Sequence, residues 1–92
     1  MGNEVITLLS EAGRREVFCA LRSIGQSEFY QAYATDYRPE LKFVLADYLD
    51  YNGETLIVYE GVTYRVIRTY RAGQELEIVV ARASAEEAEL YG

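Results

Sequence analysis

Histidine and tryptophan are absent from this 92-residue chain, and cysteine, proline and lysine occur once each. Without histidine the commonest general base and metal ligand is missing, and a serine or cysteine nucleophile lacks its usual activator. Lys42 leaves a Ser-Lys pair formally open, but no spacing sets it beside a particular serine. A single cysteine, Cys19, cannot close an internal disulfide; within EVFCAL it reads as a small buried hydrophobe, compatible with a reducing cytosol. No apolar run approaches the ~20 residues of a membrane span, and no basic-then-apolar leader precedes the folded pattern. Neither signal-directed secretion nor membrane insertion is therefore expected.

What is present is a soluble globular composition. Half of the residues are hydrophobic and about a quarter charged, enough for one domain near the lower size limit for an unstapled core. The aromatics lean to tyrosine, nine against three phenylalanines, large side chains with a polar tip that suit half-wet or assembly surfaces. The net charge of -6 counts against a module that grips nucleic acid, whose affinity comes from cationic contacts to phosphate. An acidic wall around DNA would instead repel the backbone and suit a conduit.

Strand signals fill most of the chain. NEVITLLS is followed by a polar turn at Gly13, and EVFCALRSI has apolar residues on both alternating sets, as in a strand covered on two faces. ELKFVLADYL and ETLIVYE flank Asn52-Gly53, a strong two-residue hairpin signal. Glu60-Gly61 and Ala72-Gly73 supply two more turns, so that the second half reads as a meander. With those residues as loops, Ile57 faces Tyr64, Tyr59 faces Val62, Val66 meets Val79 and Arg68 stands opposite Glu77. The other face then carries Leu56, Val58, Ile67, Ile78 and Val80. Apolar character on both faces calls for a small barrel, closed or partly closed, or for burial against another subunit. The fold expected is mainly β: an antiparallel barrel or barrel-like meander of about five to six strands. One short helix or loop excursion interrupts it near 27–37, and an acidic tail, 84–92, reads as frayed helix or mobile end.

No chemical constellation competes with this. Asp47, Asp50, Asn52 and Glu54 gather oxygens on one turn, as a calcium loop would, but the remainder of an EF-hand is missing and a solvated turn accounts for them. The glycines lie between strands rather than opening a helix, so no phosphate cradle is built. Arg65, Arg68 and Arg71 alternate with Tyr64 and Tyr70, the pattern of a small barrel that stacks single-stranded nucleic acid; this is the alternative reading. No catalytic residue, cofactor or metal is expected.

The segment SEFYQAYATDYRPE stands apart. Ser27 can cap a short helix, Arg38-Pro39 ends it, and Tyr30, Tyr33 and Tyr37 share one helical face with Phe29 on its flank. Either it packs over the barrel mouth or it meets other subunits.

Taken in order, EVFCALRSIGQSEFYQA, PELKFVLADYLDYNGE, VYEGVTYRVIRTY and LEIVV resemble the head-closure, or head-tail connector, proteins of tailed bacteriophages. The resemblance spans Val5 to about Ala83; its most specific pieces are Ser23-Ile24 with SEFYQA, the DYNGE turn, and YEG followed by Y and RTY. It implies a non-enzymatic virion protein of a phage or prophage, a small barrel made in the bacterial cytoplasm and placed in the neck. The implied assembly is a six- or twelve-fold homo-oligomeric ring, with portal or adaptor above and tail terminator or tail tube below. Double-stranded DNA would pass through without sequence-specific binding, and some members act as stoppers after packaging. The residues implied to face or gate the channel are Gln26, Ser27, Glu28, Phe29, Tyr30, Gln31, Tyr33, Asp36 and Tyr37. Tyr48, Tyr51, Tyr64, Arg65, Arg68 and Tyr70 are candidate inter-subunit or sheet-face contacts. The turn SEAGRR is short beside the longer hairpin common in that family.

Overall fold

The computed structural model describes residues 4–24 and 39–89. β-branched and leucine-rich runs become β1 (Glu4–Ser10), β2 (Gly13–Arg22), β3 (Leu41–Leu45), β4 (Leu56–Tyr59), β5 (Val62–Ala72) and β6 (Glu75–Arg82). A 3₁₀ turn at Tyr48–Asp50 lies between β3 and β4, and a helix, α1 (Ala85–Glu89), follows β6. The six strands close into an antiparallel barrel in the order β1-β2-β3-β6-β5-β4. Thr7, Leu8 and Leu9 of β1 pair with Val58, Ile57 and Leu56 of β4 and so complete the ring of strands.

Period-two alternation sends one set of side chains into the lumen. Ile6, Leu8, Cys19, Phe43, Leu45, Ile57, Tyr59, Tyr64, Leu76, Ile78 and Val80 form the core, with Val17 and Val66 packed against it. Phe43 meets Tyr59 edge-on at a centroid distance of 5.2 Å and Tyr64 at 6.5 Å. Each buried aliphatic or aromatic side chain contributes about 1.5–3 kcal/mol. A barrel of this size is filled by its own side chains, so its lumen is a core and not a passage.

Two turns match their sequence signals. Tyr59 pairs with Val62 and Ile57 with Tyr64, leaving Glu60-Gly61 as the loop, both at positive φ as a primed two-residue turn requires. Ser10 pairs with Gly13 across Glu11-Ala12. Two other expectations are corrected. Asn52-Gly53 does not join partner strands: β3 pairs with β2 and β6, not β4. Gly53 does turn at φ +85, but within a connection that carries the chain from β3 across to β4. The β5–β6 register also differs. The loop is Gly73-Gln74, with Ala72 opposite Glu75, and a bulge between Val66 and Arg68 shifts the ladder. Val66 therefore meets Val80, Arg68 meets Val79, and Tyr70 meets Glu77. The extra residue turns Ile78 and Val80 inward and Val79 outward.

Outward residues are not uniformly wet. Leu9, Leu56, Val79, Ala20, Val44 and Ala81 are buried although the core cluster lies on the other side of their strands. On β2 the expectation of two covered faces holds for Cys19 and Ala20, whereas Phe18 is 71% exposed and Leu21 is exposed as well.

Candidate functional site

Arg22 pairs with Lys42 where β2 and β3 meet as antiparallel neighbours. Neighbouring strands need only a short turn, yet residues 23–40 separate these two in the sequence. Just ahead of β3, Glu40 is fastened to β6: the Glu40 N–H donates to the Val80 carbonyl at 2.8 Å, and the Arg82 N–H to Glu40 Oε2 at 2.8 Å. The expected channel-facing residues Gln26, Ser27, Glu28, Phe29, Tyr30, Gln31, Tyr33, Asp36 and Tyr37 all fall between β2 and β3 in the sequence and lie outside the described residues.

The six expected contact residues fall at three places. Tyr64 points into the barrel and is only 7% exposed, so its ring offers no face to a base or a neighbouring chain. Tyr48 and Tyr70 lie toward the β5–β6 turn. There the Tyr48 N–H donates to the Gln74 carbonyl at 2.8 Å, and the Arg71 guanidinium sits 3.5 Å over the Tyr48 ring. Tyr70, 56% exposed, is next in sequence to that arginine. Tyr51 donates its hydroxyl to the Glu54 backbone carbonyl, and burial followed by the Glu54 charge raises its phenol above the ordinary value. Arg65 is ion-paired with Glu87 of α1. Arg68 lies opposite Val79, while Glu77 is bridged by Lys42 at 3.6 Å. The stacking pair Tyr64 and Tyr70 is thus divided between the inside and the outside of the barrel.

The oxygen-rich turn is spent on the fold. Asp47 caps the 3₁₀ turn, accepting from the Leu49 N–H at 2.9 Å, and also takes Gln74 Nε2 at 2.8 Å. Glu54 is the buried charged residue of the described chain. Its Oε2 receives Arg15 Nη2 at 2.9 Å and its Oε1 the Asn52 N–H at 2.8 Å. Burial pushes this carboxyl up, but the hydrogen bonds from Arg15, Asn52 and its own N–H, with the Arg15 charge, hold it below the ordinary value. Among the described residues no three His, Cys, Asp or Glu side chains gather as a metal site. The Arg15–Glu54 pair bridges the β1–β2 turn and the 52–54 loop, which flank an open cleft of ≈ 410 Å³ lined by Arg14, Arg15, Asn52 and Glu54.

At the end of the barrel where β1 begins, Tyr59 donates to Glu4 Oε1 at 2.7 Å. That bond, then burial, pushes the Tyr59 phenol up to about 12. Burial, then the Glu4 charge, takes the Cys19 thiol up to about 11. This thiol is an inert core group.

Sequence reading missed the surface residues Phe18 and Leu49, both strongly exposed. For Phe18 the signal was its parity. Val17 and Cys19 face inward, so the residue between them must face outward, directly opposite Val5. The class defined by this structure is a small closed antiparallel β-barrel. No protein-family model, curated protein or solved structure matches the chain.

Proposed function

We propose that the chain is a ring-forming structural protein of a tailed-phage neck, placed between portal or adaptor and tail, where it closes or lines the DNA channel after packaging. The observation that carries this reading is the length of sequence, residues 23–40, between two strands that pair as neighbours and need only a turn, on a barrel whose lumen is packed. These residues include SEFYQA, one of the most specific pieces of the resemblance. With the barrel filled, DNA would pass through the centre of a ring of copies. The excess of Asp and Glu, fifteen against nine Lys and Arg, suits a wall that does not hold its cargo. Closed rings use heterologous contacts, one patch meeting a different patch on the next copy. Exposed Phe18 with Val5, and exposed Tyr70 and Leu49, are apolar surface that such contacts would cover.

Replacing Gln26–Tyr37 with a short glycine-containing turn should leave cooperative unfolding intact. In the encoding phage or prophage, heads carrying that variant should then lose DNA or fail to join tails. Filled, infectious particles would refute the gating role. The purified chain is expected to sediment as a monomer or weak oligomer and to form a ring only on a portal-adaptor assembly. An oligonucleotide titration at low salt checks the single-strand-binding alternative, since phosphate contacts weaken steeply as salt rises.

A further inference from the structure

The Asn52-Gly53 pair does not make the hairpin that its sequence signals. It sits in the connection from β3 to β4, where residues 51–54 belong to neither helix nor strand and both members of the pair are exposed. The bonds of this loop leave the reactive atoms of the pair alone. Tyr51 donates its hydroxyl to the Glu54 carbonyl, and the Asn52 backbone N–H goes to Glu54 Oε1 at 2.8 Å. Among the described residues, neither the Asn52 carboxamide nor the Gly53 N–H takes part in a hydrogen bond. Gly53 has no side chain to shield its nitrogen, and apart from its chain neighbours no atom lies within 4 Å of where a Cβ would stand. The chain's other asparagine, Asn3, is followed by Glu4, a residue with a side chain to hinder the same approach.

We propose that Asn52-Gly53 is a self-modification site, which converts through a succinimide to isoaspartate and aspartate, and that the Arg15–Glu54 pair registers the change. Hydroxide removes the Gly53 amide proton, and the nitrogen attacks Asn52 Cγ. The new N–Cγ bond closes an imide ring while the Cγ–Nδ2 bond breaks, and Nδ2 leaves as ammonia after taking a proton from water. Water then adds to one of the two imide carbonyls. Opening at the Asn52 backbone carbonyl gives isoaspartate, with the main chain rerouted through Cβ and Cγ; opening at Cγ gives aspartate. One water is consumed and one ammonia released, and nothing is oxidised or reduced. Both products set a new carboxylate close to Glu54, a like charge that disfavours its ionised form. Isoaspartate also displaces the Asn52 N–H from Glu54 Oε1, because the lengthened link lies between them. Glu54 is the partner of Arg15 Nη2 at 2.9 Å, so a change at one peptide link reaches the β1–β2 turn. This inference does not rest on the neck reading.

The test incubates the folded full-length chain in neutral and in mildly alkaline buffer made with heavy-oxygen water, beside Asn52→Gln, whose longer side chain cyclises far more slowly. Peptide mass spectrometry should place heavy oxygen at residue 52, with isoaspartate exceeding aspartate and a rate that rises in proportion to hydroxide, while Asn52→Gln stays unchanged. The folded chain should react at no less than about a tenth of the rate of the urea-unfolded chain, since a loop outside regular structure opens at little cost. The isoaspartate form should have a lower urea midpoint than the unmodified chain, and the drop should shrink in Arg15→Met, where the pair it loosens is already gone. Reaction confined to the unfolded chain would overturn the site, as would aspartate without isoaspartate, the mark of direct hydrolysis. An equal drop in wild type and Arg15→Met, or none in either, would overturn the coupling to Arg15–Glu54.

Discussion

Removing the Glu54 carboxylate should loosen the β1–β2 turn from the loop that carries the chain into β4, and the structure sets the size of the effect. Glu54 accepts from Arg15 Nη2 at 2.9 Å and from the Asn52 N–H at 2.8 Å, with its side chain 6% exposed. A hydrogen bond to a charged group is worth about 1.5–3 kcal/mol when shielded. The Arg15 side chain is 40% exposed, so solvent reduces its share to about 1 kcal/mol. The Asn52 bond, to backbone, keeps about 1–2 kcal/mol. Glu54→Ala should therefore cost about 2–3 kcal/mol, or ~8–24 °C in Tm for a domain of this size. Glu54→Gln keeps an acceptor for Asn52 and should cost about 1 kcal/mol. A double-mutant cycle with Arg15→Met should show a coupling near 1 kcal/mol. The sign with pH follows from the lowered pKa. The native state favours the ionised carboxyl, so its contribution is full above the unfolded value of ~4.3 and is lost as pH falls through the lower folded value. Urea unfolding followed by tyrosine fluorescence should give a constant gap between wild type and Glu54→Gln from neutral pH to about pH 6, closing below about pH 4. A Glu54→Ala chain within 0.5 kcal/mol of wild type, or a gap that widens in acid, would refute the latch.

Three further outcomes are expected. Glu60 takes φ 49 in a turn whose next residue, Gly61, is also at positive φ; Glu60→Asn should raise stability by roughly 0.5–1 kcal/mol in thermal melts, because asparagine tolerates this region better. Cys19, 1% exposed and with its thiol raised to about 11, should resist maleimide at pH 7 and react only as urea unfolds the barrel; rapid native labelling would contradict its burial. Phe43→Ala empties a position that touches two tyrosine rings and should cost about 3–5 kcal/mol by urea unfolding. Phe18→Ser on the exposed face should change stability by less than about 0.5 kcal/mol.

By itself the sequence determined the strands, because alternation and β-branched runs are local. It determined the Glu60-Gly61 turn, since a two-residue loop sets the pairing on either side, and Ile57 does face Tyr64. It determined that both faces of the sheet need cover, which led to the barrel. Tertiary structure decided what depends on distant partners. Asn52-Gly53 looked like a hairpin, but β3 gains more by presenting Phe43 and Leu45 between β2 and β6, so its partners lie far along the chain. One extra residue beside Ile67 turned Val79 outward and Ile78 and Val80 inward, and no local pattern marks such a bulge. Arg15 reaches Glu54 across 39 positions, so the oxygens that resembled a cation loop became the fastening of two loops. Tyr64 went to the core and Arg65 to α1, although adjacent residues on a strand differ only in parity. Strand pattern is written locally; which face is inside, and which charge finds which, is settled only when the barrel closes.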